Sequence, residues 1–364
     1  VVALMAGEDP QAQFLFDGLL EFALDHPSRV DGRLMDWFVA GDEGPDPFGD
    51  DSAFDGDASI AYALLLAREQ WGAGPHFDYS AEAGQRLAGL AASAVGPESR
   101  LPMLGDWVEP EGAPYSQYSP RPSDCMPHAL RAFARATRQG LWSEVVAACR
   151  EMVEGAQALW SPGVGLVPDF LVPVGGSPGA LMPAPADFLE GPFDGDYYYN
   201  STRVPLWLAL DALTSSDAAS LRQGRRIASW ALARFGGDPQ QIGAGFHLDG
   251  SPLPGSAYFT TAFAAPLAVA AMLDATQPAW LEALYESVRS SDEDYYEDTL
   301  SLFSLLVLSG NFWTPERMGG VAPAVPGLSG AAQLLLAAAL FVSVVRSTAR
   351  ARAIPRPLRT KIVG

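Results

Sequence analysis

Carboxylates next to aromatic residues are the chemically conspicuous groups of this sequence, and they concentrate in residues 53–71, 121–133, 165–170 and 188–205. Sugar rings stack on Trp and Tyr faces, while carboxylates and Arg bind hydroxyl groups. Hydrolysis of a glycosidic bond needs one carboxylic acid and one carboxylate that flank the bond. No cofactor fingerprint, phosphate-binding loop or nucleophile elbow occurs, so the pattern favours a carbohydrate-active protein. The alternative is that acidic loops only keep the protein soluble, which accounts for most of the 43 acidic residues.

The first of these segments places Asp55 and Asp57 at the mouth of an apolar helix. An Asp at a helix start accepts backbone hydrogen bonds and favours the helix dipole, so capping explains such a residue without any function. For Asp57, capping and sugar binding therefore stay open as alternatives.

Residues 188–205 form the most functional-looking stretch, an acidic and aromatic loop that runs into a helix. The loop contains Glu190, Asp194 and Asp196, and Asn200 and Arg203 follow it. Asn cannot accept a proton from water, so Asn200 itself is not a candidate general base. The planar guanidinium of Arg203 suits a carboxylate or a sugar hydroxyl.

Two of these stretches resemble glycoside hydrolase family 8. The first is Ala53-Phe54-Asp55-Gly56-Asp57-Ala58 with a downstream Ile-Ala and Trp, and it departs from the family signature at Phe54, where the family has Ser or Thr. The second is Tyr199-Asn200-Ser201-Thr202-Arg203-Val204-Pro205, in which many members carry Asp at the position of Asn200. The resemblance extends from Val1 to about Pro315.

The resemblance implies roles for individual residues. Asp55 grips and distorts the sugar at the cleavage subsite, and members with Asn at position 200 take a Glu from a nearby loop as base. Glu190 is the expected base, with Asp196 and Asp194 as rivals, and Asn200 orients the water. The predicted catalytic set is Asp55, Glu190, Asn200 and Asp196. Substrate contacts are predicted for Asp57, Trp107, Asp124, Asp169, Tyr198 and Arg203, with helix capping as the alternative for Asp124.

Helical periodicity dominates the elements that must position these residues. Apolar positions recur at helical spacing in ten segments, and alternating strand patterns are nearly absent, which predicts an all-α protein. The segments are Gln13–Leu24, Ala58–Trp71, Ala81–Ala94, Pro127–Thr137, Ser143–Leu159, Arg203–Leu213, Ala218–Phe235, Phe259–Ala275, Trp280–Arg289 and Tyr295–Leu308. Long Pro- and Gly-rich loops at Ser161–Pro192 and Gly236–Ser256 suggest a helical toroid whose loops carry the site. The resemblance implies an (α/α)6 barrel.

Charge and composition exclude several classes of function. A formal net charge of -20 argues against nucleic-acid binding, since phosphate recognition needs clustered Lys and Arg. A neutral polysaccharide, or a cationic one such as chitosan, would not be repelled. Cys125 and Cys149 fit neither a zinc site nor a redox pair and are expected in the core. The four His residues lack metal-ligand spacing, so neither a metal nor another cofactor is expected.

The C-terminal region predicts membrane attachment. Residues 327–345 contain no charge and approach the length that spans a bilayer, after a Pro/Gly-rich linker at 319–326. The basic residues of 346–364 place the C-terminus in the cytoplasm by the positive-inside rule. The tail resembles PEP-CTERM and IPTL-CTERM sorting signals, which implies a sorting protease as a partner. A terminal helix packed on the catalytic domain, residues 1–318, and an ordinary tail anchor are the alternatives.

The beginning of the chain reads as the second half of an apolar helix, Val1–Gly7. This pattern suggests that the chain is truncated upstream, where the resemblance also implies the general acid Glu and, for export, a signal peptide.

Together with the predicted C-terminal tail, the resemblance implies an exported, inverting endo-hydrolase of β-1,4-glucan or mixed-linkage β-glucan. Chitosan is the second candidate substrate and xylan the third. A β-glucan-binding protein without catalysis is the alternative from another class, and a surface protein without sugar affinity would leave the acidic, aromatic loop unexplained.

Overall fold

The computed structural model describes residues 11–39, 49–176 and 179–315, and this part of the chain is built from ten α-helices. All ten predicted helices are present, with ends that differ by a few residues. They are α1 (Ala12–Asp25), α2 (Phe54–Trp71), α3 (Tyr79–Ser93), α4 (Pro127–Thr137), α5 (Gly140–Leu159), α6 (Val204–Ser215), α7 (Ala218–Phe235), α8 (Thr261–Ala271), α9 (Pro278–Ser290) and α10 (Tyr295–Leu308). The predicted all-α class is therefore confirmed.

The helices alternate between an inner and an outer position. Consecutive contacts join α2 to α4, α4 to α6, α6 to α8 and α8 to α10, and we call these five the inner helices. Each of α3, α5, α7 and α9 packs on the inner helix that precedes it. The sequence explains the division: every residue of α8 is buried, as a helix that is apolar on all sides requires, whereas α7 has one buried face and exposed Arg and Ser on the other.

Aromatic side chains fill the space between the inner helices. Tyr62 of α2 contacts His128 of α4, which stacks on Trp207 of α6, and Trp207 contacts Phe303 of α10. The ring centroids of these pairs lie 5.2, 5.3 and 5.4 Å apart. Burial lowers the pKa of His128 to about 3, so this imidazole is a neutral core residue.

Two features depart from the expectations. The predicted loop 161–192 contains a short antiparallel hairpin of β1 (Leu171–Pro173) and β2 (Leu181–Pro183), in which Val172 lies opposite Met182. Cys125 and Cys149 are buried, as predicted, but they also form a disulfide that ties the turn before α4 to α5. Two cysteines 24 residues apart give no spacing signal, so the pairing depends on how α4 and α5 pack.

The predictions for both ends of the chain concern residues outside the described ranges. These are the apolar segment 1–7, the linker, the hydrophobic helix at 327–345 and the basic tail. Among the described residues, no helix has the length and apolarity that a membrane span requires.

Candidate active site

Several of the predicted site residues lie where inner helices begin. Asp55 lies in the first turn of α2. Two short 3-10 turns lead into the others: Pro122–Asp124 precedes α4, and Ser201–Arg203 joins directly to α6. The unpaired N–H groups of helix starts favour negative charge, so this end of the helix array suits carboxylates.

Asp55 is held by two arginines. Its Oδ1 lies 2.8 Å from Nη2 of Arg121, and its Oδ2 accepts a hydrogen bond of 2.7 Å from Nη1 of Arg203. Burial alone would raise the pKa of Asp55, but the two guanidinium charges outweigh burial and hold it well below its usual range. Asp55 is therefore an anion that can accept hydrogen bonds and oppose positive charge, and it is not a proton donor.

Arg203 fixes the orientation of Asn200. Its Nη2 donates to Oδ1 of Asn200 at 3.0 Å and to Oγ of Ser123 at 2.9 Å, and its Nε donates to the Asn200 carbonyl at 3.2 Å. With Oδ1 turned toward Arg203, the amide Nδ2 of Asn200 faces the other way. Of the two predicted roles of Arg203, contact with a carboxylate is the one present in this structure.

Glu190 accepts a hydrogen bond from that amide. Nδ2 of Asn200 donates to Oε2 of Glu190 at 2.8 Å, and Nη1 of Arg121 lies 3.9 Å from Oε1. The Glu190 side chain is 50% exposed, so its carboxylate is oriented by neighbours and still reaches solvent. A carboxylate of this kind can remove a proton from a water molecule beside it.

A second carboxylate builds the loop that presents Glu190. Asp194 is buried, and its oxygens accept hydrogen bonds from the backbone N–H groups of Leu189, Glu190 and Gly191 at 2.7 to 3.0 Å. Gly195 lets this loop lie against the chain at Ala184, because a Cβ at position 195 would stand 2.3 Å from the Ala184 carbonyl oxygen. Asp194 therefore shapes the loop, and its oxygens are occupied.

Asp169 has a corresponding role for Asn200. It was expected to point toward the cleft, but it is buried and accepts backbone hydrogen bonds from Tyr198, Asn200 and Ser201 at 2.7 to 3.0 Å. Burial raises its pKa to about 6, although these hydrogen bonds lower it. This geometry gives no support to the predicted substrate contact, because Asp169 is buried and folds the turn that carries Asn200.

Two further predicted sugar contacts are also replaced by buried ion pairs. Asp57 faces α3, and its Oδ1 accepts a hydrogen bond of 2.7 Å from Nη1 of Arg86 in that helix. The same oxygen accepts a hydrogen bond of 3.0 Å from the backbone N–H of Met35. Asp124 is fully buried, and its Oδ1 lies 2.8 Å from Nε of Arg121. Neither residue caps a helix, since the N-cap positions of α2 and α4 are Ala53 and Met126. Both carboxylates are buried in ion pairs, so this geometry gives no support to the sugar contacts predicted for them.

Asp196 is separated from the other predicted catalytic residues. Its Oδ1 lies 2.9 Å from Nδ1 of His247, and its backbone carbonyl accepts the N–H of Asp169. No contact joins its carboxylate to Asn200 or Asp55 within the described part of the chain. Among the three candidate bases, the structure brings Glu190 alone to the Asn200 amide.

Two groups of aromatic side chains adjoin the Glu190–Asn200 pair. Trp107 packs edge-on against Tyr115, and Tyr115 packs against Phe188, two residues before Glu190. Tyr198 packs against Tyr199, the residue before Asn200. Trp107 and Tyr198 are both partly exposed, so their predicted contact with substrate stays a prediction that fits their position.

Sequence reasoning missed Arg121 and Ser123, which complete the site. Arg121 bridges Asp55, Asp124 and Glu190, and Ser123 binds Arg203. A usable signal was available, because Arg121 is one of only 23 basic residues and lies three positions before an Asp in a predicted loop. Within residues 11–39, 49–176 and 179–315, no group of three or more His, Cys, Asp or Glu side chains is arranged to hold a metal ion.

Comparisons with known proteins agree on one family. The sequence model of Glycosyl hydrolases family 8 matches residues 2–310. A beta-glucanase of Niallia circulans is 38% identical over 312 residues, which cover 85% of this chain and 74% of that protein. An endoglucanase of Bacillus sp. (strain KSM-330) is 33% identical over 86% of this chain, but the match spans only 65% of that protein. The apo structure of a beta-1,3-1,4-glucanase from Paenibacillus sp. X4 superposes with a TM-score of 0.81 at 37% identity and covers 86% of this chain and 81% of that one.

Proposed function

The chain belongs to glycosyl hydrolase family 8, and on that premise we propose that it cleaves β-1,4 linkages within β-glucan chains, with Glu190 as the base that activates water. The observation that carries the proposal is the half-exposed Glu190 carboxylate, held by Asn200 beside the doubly bound anion of Asp55. The similar proteins, a beta-glucanase, an endoglucanase and a beta-1,3-1,4-glucanase, support β-glucan as the substrate.

The proposed reaction inverts the configuration of the anomeric carbon. Glu190 takes a proton from water while the water oxygen attacks that carbon, and a carboxylic acid protonates the departing glycosidic oxygen. The two carboxyl groups of such a mechanism stand roughly 6.5 to 9.5 Å apart, which leaves room for the water. Asn200 orients Glu190 and the water, and Asp55 binds the sugar where positive charge develops.

The geometry supports Glu190 over its rivals for a physical reason. A base needs a free oxygen lone pair next to the attacked carbon. The oxygens of Asp194 accept three backbone hydrogen bonds. Asp196 has one oxygen paired with His247, and its carboxylate is joined to that ring rather than to the Asn200 amide. Glu190 uses one oxygen for Asn200 and leaves the other facing Arg121 at 3.9 Å, within reach of a water molecule.

The test is a substrate panel assayed with the wild type and with Glu190→Ala. We expect hydrolysis of mixed-linkage β-glucan and soluble cellulose, an α-anomeric first product by NMR, and a loss of turnover in Glu190→Ala that azide restores. Azide is small enough to enter the space left by the removed carboxylate. Near-normal activity of Glu190→Ala would transfer the role of base to Asp196 or Asp194. Hydrolysis of α-glucan alone would exclude the proposed substrate.

Chitosan is the second candidate substrate, and the charge of the protein favours it. A net charge of -20 attracts a polycation, and the Asn at position 200 fits the family variant that includes chitosanases. The two substrates separate by salt dependence: hydrolysis of chitosan should weaken as salt screens the attraction, whereas hydrolysis of neutral glucan should not. Xylan is the third candidate. Binding of β-glucan without hydrolysis by the complete protein would instead identify a non-catalytic binding protein.

We also propose a complete (α/α)6 barrel that works outside the cytoplasm. The alternating inner and outer helices support the barrel, and the disulfide between Cys125 and Cys149 fits an oxidising compartment. The uncharged segment 327–345 and the basic residues after it support attachment to a membrane with the catalytic domain outside. The test is protease treatment of intact cells, which should digest the catalytic domain; mass spectrometry of the C-terminus then shows whether a sorting protease removes the tail.

A further inference from the structure

Two aromatic groups adjoin the Glu190–Asn200 pair, and one member of the second group, Tyr258, has no assigned role. We call Trp107, Tyr115 and Phe188 the Trp107 group, and Tyr198, Tyr199 and Tyr258 the Tyr199 group. The first adjoins Glu190 along the chain through Phe188, and the second adjoins Asn200 through Tyr199. A polysaccharide that is cut within its chain extends beyond the cleavage point, so exposed aromatic rings next to the reacting pair are candidate sugar-binding residues.

Tyr258 is the most exposed residue of the Tyr199 group. Half of its surface is exposed, while its hydroxyl lies 3.1 Å from the hydroxyl of Tyr199. Tyr197 differs from Tyr258 in its exposure, since it is fully buried and packs against Phe263. An aromatic ring that only completed the core would be covered in the same way.

The loop that carries Tyr258 is internally bonded. Ser256 donates from Oγ to the carbonyls of Gly245 and Leu253, and its own carbonyl accepts the N–H groups of Ala244 and Tyr258. Gly255, at φ +79°, makes the turn before it. The ring is thus presented by an ordered loop and anchored at its tip by Tyr199, so a ligand would pay little conformational entropy to use it.

We propose that Tyr258 is a sugar-binding residue that extends the cleft past Tyr199. Its ring stacks on one neutral pyranose ring of the β-glucan chain, and its hydroxyl binds a sugar hydroxyl together with Tyr199. The inference rests on the proposed function and adds a subsite to it. Because Tyr258 bonds to Tyr199 rather than to the Glu190 carboxylate, it contributes to substrate affinity rather than to the chemical step.

The experiment measures binding without turnover, in a Glu190→Gln background, by calorimetry with a β-glucan hexasaccharide and a trisaccharide. We expect Tyr258→Ala to weaken hexasaccharide binding roughly ten-fold, as loss of one stacked ring does, and to weaken trisaccharide binding less. In the otherwise wild-type enzyme the same substitution should raise KM for polymer by a similar factor and leave kcat within about two-fold.

Two variants and one control distinguish a loss of sugar binding by the Tyr258 ring from a general loss of protein stability. Tyr258→Phe keeps the stacking face and should lose about three-fold in affinity, as one sugar hydrogen bond implies. Tyr258→Leu keeps apolar bulk without a flat face and should match Tyr258→Ala, even where Tyr258→Ala lowers thermal stability. Phe22→Ala is the matched control, since Phe22 is 48% exposed on α1, away from the site.

The outcomes distinguish this inference from the proposed function. Hexasaccharide binding that is equal in Glu190→Gln with and without Tyr258→Leu would overturn the subsite and leave the proposed function standing. Failure of the Glu190→Gln protein to bind either oligosaccharide, together with no hydrolysis by the wild type, would overturn the proposed function and this inference with it.

Discussion

The two faces of the first turn of α2 carry the same side chain in opposite environments. Asp55 faces the site, where two arginines hold its pKa well below the usual range despite its burial. Asp57 faces α3, where burial raises its pKa to about 7 although Arg86 lies at 2.7 Å. At 3.6 residues per turn, side chains two positions apart point about 200° away from each other. An Asp-x-Asp pair inside a helix therefore cannot place both carboxylates in one cleft.

The contrast also shows what each carboxylate stabilises. Asp55 joins groups that come from the starts of α2, α4 and α6, so it connects the catalytic end of the helix array. Asp57 joins α2 to Arg86 of α3 and to the backbone of Met35, so it connects an inner helix to its outer neighbour. We therefore expect Asp55 to control turnover and Asp57 to control stability.

The largest effect is expected for Asp55→Asn. The amide keeps the shape but removes the negative charge that opposes the positive charge of the transition state. We expect kcat/KM to fall by about 1,000-fold, which corresponds to about 4 kcal/mol, while the free energy of unfolding changes by less than about 2 kcal/mol. Steady-state kinetics on β-glucan and urea unfolding measure the two quantities. A large loss of stability with little loss of rate would show that Asp55 is mainly a structural residue.

Asp57→Ala should show the reverse pattern. Removing the carboxylate leaves the buried guanidinium of Arg86 and the N–H of Met35 without this partner, which costs about 3 kcal/mol of unfolding free energy. The same kinetics and unfolding measurements apply, and kcat/KM of the folded variant should stay within about three-fold of wild type. Glu69→Ala, at the partly exposed C-terminal end of α2 where Glu69 pairs with Arg68, is a control for the effect of any lost carboxylate in this helix. A loss of rate as large as that of Asp55→Asn would contradict the division.

Whether a feature of the fold or the site could be predicted from the sequence depends on how far apart along the chain its interacting residues lie. Apolar periodicity acts within a helix, so all ten helices were predictable, and so was the accumulation of chemistry in the loop around Glu190. The roles of Asp57, Asp124 and Asp169 were not predictable, because the residue type alone does not show whether an Asp faces a cleft or an Arg on another helix. Their partners are set by packing: Arg86 lies 29 positions from Asp57, and Ser201 lies 32 positions from Asp169.

The same limit applies to Arg121 and to the disulfide. Arg121 reaches Asp55, 66 positions earlier, because the starts of α2 and α4 adjoin. Cys125, four positions after Arg121, meets Cys149 because α5 packs on α4. A sequence shows which residues are capable of such contacts, and the order of the helices around the array decides which of them form.

A smaller effect, of opposite sign for the two carboxylates, is expected in the pH dependence of stability. The folded pKa of Asp57 is raised, so the folded state binds more protons than the unfolded state, and stability falls as pH rises from about 4 to about 7. The folded pKa of Asp55 is lowered, so its contribution is present above about pH 4 and is lost as pH falls below that value. Urea unfolding across this range should therefore show that Asp57→Asn removes part of the decline toward neutral pH, while Asp55→Asn removes part of the loss in acid. Identical pH profiles of both variants would mean that the two environments are electrostatically equivalent.

The smallest effect tests the support behind Asp55. Ser123→Ala removes the hydroxyl that accepts from Nη2 of Arg203 at 2.9 Å but leaves the bonds of Arg203 to Asp55 and Asn200. Because one of several hydrogen bonds is lost, kcat/KM should fall about three- to ten-fold, which corresponds to roughly 1 kcal/mol. Ser80→Ala, on α3, is the matched control and should leave the rate unchanged. Full activity of Ser123→Ala would show that Asp55 and Asn200 alone fix Arg203, whereas a loss as large as that of Asp55→Asn would show that the whole bonded chain from Ser123 to Asp55 acts as one unit.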